Sequence, residues 1–243
     1  ACTEAPESTR AAIARALTLK ADMIELDVQL TVDRRLVVFH DDRLERTSNG
    51  RGRLRAWRYR DLARLDCGSW FGPRFAGQRM LLVSQALQSV SSPRYVNLEL
   101  KRTGRPAVLI ARLIRCLRWT RTVSRTLVSS FDTSLLARLK AVQPGIARAL
   151  LCRRHPLRAL RRARQLGCVA LHPHRSVVTA SLITKTHAEG LGICVWTVDD
   201  PQEVRRLIRM GVDGLVTNVP ARIQPICARL GRDRTRSPHG RSR

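Results

Sequence analysis

Apolar and polar positions alternate along the chain with two different periods, and the switches between them mark its elements. Short runs rich in β-branched and apolar residues read as strands: "MIELDV" (23–28), "YVNLELK" (95–101), "TLVSSF" (126–131), "ARALL" (147–151), "VALHP" (169–173), "ICVWTV" (193–198) and "DGLVTN" (213–218). Stretches with apolar residues three and four apart, at 9–19, 83–90, 105–118, 133–142, 156–166, 179–189 and 201–210, read as helices. The last carries its own punctuation, with Asp199 or Asp200 to cap it, Pro201 in its first turn and Gly211 at its end. Regular β-then-α alternation implies right-handed crossovers and a parallel sheet, so the fold class is α/β. Seven such units are one short of a closed (β/α)8 ring, and the expected architecture is a TIM-type barrel domain over residues 1–230 whose first strand is missing. In "LGRDRTRSPHGRSR" the apolar period is lost, and residues 231–243 are expected to form a disordered basic tail.

The first of these strands breaks the simple pattern. In "ADMIELDVQLTVDRRLVVFHDD" (21–42), Ile24, Leu26 and Val28 face one way while Glu25 and Asp27 face the other, side by side. Two neighbouring carboxylates repel each other and lose hydration on burial, so a cation belongs between them, and a metal ion is the economical candidate. The turn "TVDRR" sends "LVVFH" back as a hairpin arm. A two-residue loop at Asp33-Arg34 pairs Asp27 with His40; because Arg34 is not the glycine that a tight turn prefers, a longer loop would shift that partner by one. In either register His40 lands beside the acids.

"NLELK" repeats the two-residue spacing and gives Glu99 and Lys101 a shared inward face. Barrel chemistry gathers at the C-terminal ends of strands, and there the sequence places Glu25, Asp27, Glu99, Lys101, Ser129, Ser130, His172, Trp196 and Asn218. Three carboxylates are hard oxygen donors suited to Mg²⁺ or Ca²⁺, while the lack of a His/Cys cluster disfavours zinc. The plainer alternatives are a strand whose acids face the abundant arginines, a structural His40, and a Trp196 that belongs to the core.

Composition changes this picture little. The chain has 243 residues, 44% of them hydrophobic, enough for one core, and its apolar runs are too short to span a membrane. The formal charge of +26 comes from 41 Arg and only four Lys, a skew that GC-rich coding explains more simply than selection for a partner. Aromatic residues are 4% and form no stacking pattern, which argues against a nucleic-acid partner. The densest basic block, "RRHPLRALRRAR" (153–164), reads as a solvated helix with Leu157, Leu160 and Leu166 on its inner face. Seven cysteines without CxxC spacing read as small buried hydrophobes in a reducing compartment, so the expected location is cytoplasmic. The chain does not begin with Met, which leaves room for an absent leader.

The motifs "APEST" (5–9), "IELDVQLTVD" (24–33), "VVFHDDRLERTSNGRGRL" (37–54), "SWFGPRFAGQR" (69–79), "NLELK" (97–101), "SSFD" (129–132), "VWTVDD" (195–200) and "GVDGLVTN" (211–218) run in order along nearly the whole chain. Together they resemble the glycerophosphodiester phosphodiesterase family, within the phosphatidylinositol-specific phospholipase C-like barrels. The resemblance implies a TIM barrel with a hairpin after its second strand. It implies metal-dependent cleavage of a small glycerophosphodiester to glycerol 3-phosphate and an alcohol, with Glu25, Asp27 and Glu99 as metal ligands. It further makes His40 one of two acid/base histidines, Lys101 the charge partner of the phosphate, and Trp196 an apolar wall for the glycerol.

Three departures stand out. The family's His-Arg-Gly falls just before the position of Ala1, so the missing strand and the second histidine are one expectation. "PEST" stands for the usual "PENT", with Ser8 for Asn, and Asn218 stands where the family carries an acid. Two rival readings follow: a catalytically impaired fragment or relic of the same barrel, and an arginine-rich protein that binds anions or membrane surfaces.

Overall fold

The two periods of the sequence resolve into strands and helices close to the expected bounds. The computed structural model describes residues 1–90 and 94–236. Seven strands run parallel in the order β1 (Met23–Leu30), β3 (Tyr95–Leu100), β4 (Thr126–Ser130), β5 (Ala147–Cys152), β6 (Ala170–Pro173), β7 (Gly192–Val195) and β8 (Gly214–Leu215), and β2 (Leu36–Val38) lies antiparallel on the free edge of β1. The sheet curls into part of a barrel, and among the described residues no ladder joins β8 to β1. The chain reaches β1 through α1 (Arg10–Thr18) and β3 through α2 (Tyr59–Leu62) and α3 (Val83–Ser89). The crossovers between the later strands are α4 (Pro106–Trp119), α5 (Thr133–Val142), α6 (Pro156–Gln165), α7 (Ala180–Ala188) and α8 (Pro201–Met210), and α9 (Pro220–Arg236) follows β8.

Strand alternation decides which side of the sheet is greasy. Val96, Leu98, Leu100, Val128, Leu171 and Ile193 are buried together with Leu109, Leu113 and Leu117 of α4 and Leu135, Leu136 and Leu139 of α5. Burying each such side chain contributes roughly 1.5–3 kcal/mol, so this layer between sheet and helices carries most of the fold's stability. The opposite face carries Glu25, Asn97, Glu99 and Ser129. A smaller cluster of Val37, Phe39, Leu44, Leu54, Leu62, Cys67 and Met80 lies under the long excursion after β2, where the apolar periods signal no regular element.

Caps fall where the sequence allows them. Asp132 accepts from the Ser134 N–H at the start of α5, and Asp200 accepts from the N–H groups of Gln202 and Glu203 at the start of α8. Gly211 ends α8 at φ 98°, a conformation that costs glycine little. Asp199 is not the cap; it accepts from the Thr217 hydroxyl and the Asn218 amide and ties down the end of β8.

Several expectations need correction. The hairpin takes the longer-loop register, not the two-residue one: Leu30 pairs with Leu36 and Val28 with Val38, and Phe39 N–H donates to the Asp27 carbonyl, so Phe39, one position from His40, stands opposite Asp27. The loop is residues 32–34: Thr31 N–H donates to the Arg35 carbonyl, the Thr31 hydroxyl accepts from Arg35 N–H, and Arg34 takes the left-handed conformation at φ 62°. Leu157 is 45% exposed, because Leu160 and Ala163 form the inner face of α6 and Leu166 follows just beyond its end. Helix α9 continues to Arg236, past the residue where a structureless tail was expected to begin, and it contains Pro225, a residue that argues against a helix when read locally. The rest of that expected tail, 237–243, lies outside the described residues.

Candidate active site

The parallel ladder brings the acids together by register. Glu25 pairs with Asn97 and Asp27 with Glu99, and paired residues in a parallel sheet share a face. Glu25, Asp27 and Glu99 each offer a carboxylate oxygen, and these atoms lie within 4.8 Å of one another. Lys101, two residues beyond Glu99, donates to Asp27 Oδ1 at 2.7 Å and to Glu99 Oε1 at 2.6 Å. The side chains of Lys101, Asp27 and Glu99 are 20%, 12% and 14% exposed, so their mutual attraction is weakly screened.

Electrostatics here is frustrated. Burial pushes Glu25 well above the usual carboxylate range, and the charges of Asp27 and Glu99 add to the push. Glu99 is raised too, mainly by burial and then by Asp27, with Lys101 opposing. Burial also works against the Lys101 ammonium, but Asp27 and Glu99 outweigh it and hold Lys101 above the ordinary lysine range. Three carboxylates and one ammonium, all ionised, sum to −2, the charge a divalent cation would neutralise. Glu25 Oε1 is buried without a hydrogen-bond partner among the described residues, so one donor atom of the cluster remains uncommitted. An all-oxygen donor set with a spare oxygen fits a hard divalent ion.

Further along the same face lie more buried polar groups, set among Leu127, Ala149 and Leu151. Asn97 pairs with Glu25, Ser129 with Glu99 and His172 with Leu151, and Asn97 Oδ1, Ser129 Oγ and His172 Nδ1 are also buried without partners among the described residues. His172 is 2% exposed, and burial lowers its pKa to about 4. It is a neutral interior residue near pH 7.

His40 is held by a scaffold that lies outside the strand ladder. The buried Gln29 side chain, on the same face of β1 as the acids, donates to the carbonyls of Phe39 at 2.9 Å, His40 at 3.3 Å and Asp41 at 2.7 Å. The His40 ring is 55% exposed and meets Asp41 Oδ1 through Nδ1 at 2.5 Å. Through the Gln29 amide the His40 backbone is tied to the face of β1 that carries the acids. Arg46 donates to both Asp41 oxygens and to both Glu7 oxygens, and its hydrogen bonds hold Asp41 below the usual carboxylate range. Glu7 belongs to "APEST", where Ser8 adopts φ 61°, a left-handed conformation that Asn tolerates better than Ser.

Trp196 directly follows β7. Its Nε1–H donates to the His172 carbonyl at 2.8 Å, and its ring meets Phe131 and His174 edge-on at 5.5 and 4.9 Å. The Arg153 guanidinium lies 5.9 Å from the ring centroid. The seven cysteines are all free, and burial pushes the thiols of Cys67, Cys116, Cys152 and Cys168 up to about 11, which keeps them protonated and unreactive near neutral pH.

Gln29, Asp41 and Arg46 are the site residues that the sequence reading passed over. Gln29 shares the parity of Glu25 and Asp27, a signal that was legible. The pairing of Arg46 with Glu7, 39 positions apart, left no periodic trace.

An α/β part-barrel with three acids and a lysine gathered on one face of β1 and β3, and a histidine just beyond β2, defines the class: a barrel hydrolase. Residues 1–222 match the Glycerophosphoryl diester phosphodiesterase family, and the chain belongs to that family. It is 34% identical over 220 residues to the glycerophosphodiester phosphodiesterase of Caldanaerobacter subterraneus subsp. tengcongensis, covering 88% of this chain and 89% of that protein. With the Bacillus altitudinis glycerophosphodiester phosphodiesterase it shares 31% identity over 222 residues, 89% of this chain and 91% of the other. An Oleispira antarctica phosphodiesterase, solved in complex with the product sn-glycerol-3-phosphate, superposes with a TM-score of 0.86 at 29% identity, over 92% of both chains. No helix among the described residues is long and apolar enough to cross a membrane.

Proposed function

We propose that this chain hydrolyses small glycerophosphodiesters to glycerol 3-phosphate and an alcohol such as choline or ethanolamine, with Mg²⁺ or Ca²⁺ held by Glu25, Asp27 and Glu99. The observation that carries the reading is the carboxylate cluster, bridged by Lys101 and left with an uncommitted oxygen on Glu25. When bound, the cation supplies charge stabilisation for the phosphoryl oxygens. The Lys101 ammonium adds a second positive charge beside the same oxygens, and Asp27 and Glu99 keep it protonated. His40 moves a proton at the glycerol 2-hydroxyl or at the departing oxygen, and Trp196 offers the apolar surface against which the glycerol carbons rest. The product bound to the Oleispira antarctica relative supports glycerol 3-phosphate as the retained half of the substrate. The free thiols suit a reducing cytoplasm.

The test is release of glycerol 3-phosphate from glycerophosphocholine, with thermal melts alongside. Hydrolysis that needs Mg²⁺ or Ca²⁺, together with a cation-induced rise in Tm that Glu25→Gln and Glu99→Gln both lose, supports the assignment. Equal cation-induced shifts in all three proteins would overturn it.

A further inference from the structure

We infer that Asp41 is a positioning residue that selects the tautomer of His40, and that Arg46 and Glu7 lock Asp41 in place for that purpose. The inference rests on the reading of His40 as the acid/base group. Asp41 lies 2.5 Å from His40 Nδ1, and its carboxylate is kept ionised by Arg46. An ionised carboxylate can only accept, so the neutral imidazole carries its proton on Nδ1 and its lone pair on Nε2, the nitrogen that can take a proton from substrate. This order matters because a neutral histidine with the proton on the wrong nitrogen is no base toward the reacting group.

The geometry makes Asp41 more than a chance surface partner. Arg46 Nε and Nη2 reach both Asp41 oxygens at 2.5 and 3.0 Å, and Nη1 and Nη2 reach both Glu7 oxygens at 3.0 and 2.6 Å. A planar guanidinium fixes a carboxylate in angle as well as distance, which a lysine cannot do. The second carboxylate, from the segment before α1, fixes the guanidinium in turn. Gln29 holds the backbone of residues 39–41 from the other side. His40 lies in a turn beyond β2, where strand pairing does not constrain its ring, and these side chains supply the constraint that the ladder does not.

Asp41→Asn discriminates this role from a merely stapling one. Arg46 holds the outer oxygen, Oδ2, at 2.5 Å and Oδ1, the oxygen that faces His40, at 3.0 Å, so an asparagine there is expected to keep its one oxygen on Arg46 Nε and to turn its NH₂ toward His40 Nδ1. The chain is labelled with ¹⁵N at histidine, the His40 signals are assigned by their loss in His40→Gln, and two-bond ¹H–¹⁵N spectra are read at a pH where the imidazoles are neutral. Wild type is expected to show the Nδ1–H form of His40. Asp41→Asn is expected to show the Nε2–H form, and Arg46→Met a mixture, with Tm moved by only a few degrees. Glycerophosphocholine turnover is expected to fall about 10²-fold or more in Asp41→Asn through kcat, with KM little changed. A wild-type His40 in the Nε2–H form, or one whose tautomer is unchanged in Asp41→Asn and Arg46→Met, overturns the positioning role. A His40→Gln chain that hydrolyses substrate undiminished overturns instead the assignment of His40 on which the role depends.

Discussion

Acidification from pH 7 to pH 5 is expected to remove about 2 kcal/mol of folding stability through one side chain, His172. The ring is 2% exposed and its folded pKa is about 4, lowered by burial. Unfolding returns it to the ordinary value near 6.5. Between those values the unfolded chain binds a proton that the native chain refuses, so the contribution is complete above the unfolded value and is lost as pH falls toward the folded one. A gap of about 2.5 units at 1.36 kcal/mol each amounts to roughly 3 kcal/mol at the acid limit, of which about 2 kcal/mol is gone by pH 5. Glu25 and Glu99 titrate with the opposite sign, because their folded values are raised and their protonation relieves buried charge. His172→Asn isolates the histidine: it keeps a polar group and cannot titrate. Urea unfolding at pH 7, 6 and 5 should show wild type losing about 2 kcal/mol more than the variant over this range. Parallel pH profiles for the two proteins would refute a neutral, buried His172.

Glu25→Gln is expected to raise Tm in the presence of a chelator by about 2–4 °C, the equivalent of roughly 1 kcal/mol in a chain of this size, since it removes one of three mutually repelling carboxylates. Calorimetry showing an unchanged or lower Tm would contradict that repulsion. Lys101→Met leaves Asp27 and Glu99 without their bridge and should cost about 3–5 kcal/mol in chelator, partly regained on adding Mg²⁺ or Ca²⁺; chemical denaturation in the two conditions measures both parts. Gly68→Ala should destabilise by about 1–3 kcal/mol or more, because a Cβ there would stand 1.8 Å from the Phe75 carbonyl oxygen. A melt indistinguishable from wild type would show that the 66–80 loop yields easily.

The alternation of strands and helices was legible because each depends on a period set by near neighbours. Runs such as "NLELK" state their own faces, so the shared side of Glu99 and Lys101 could be read directly, and α5 and α8 begin and end where their caps and apolar positions require. The convergence of Glu25, Asp27 and Glu99 followed once the strands were taken as parallel neighbours, since register then leaves little freedom. The hairpin register was less legible: it turned on side-chain bonds of Thr31 and on a left-handed Arg34, neither of which hydrophobic pattern encodes. Helix α9 was hidden by Pro225, whose local penalty is outweighed in the folded chain by the contacts of Ile223 and Ile226 with the core. Tertiary structure alone decided the bonds that orient His40, because Glu7 and Arg46 meet only after α1, β1 and the hairpin have packed. It also decided that His172 is sealed inside. A strand-end histidine looks the same in sequence whether the neighbouring strands bury it or expose it, and desolvation, which governs its proton, is a property of the packed sheet.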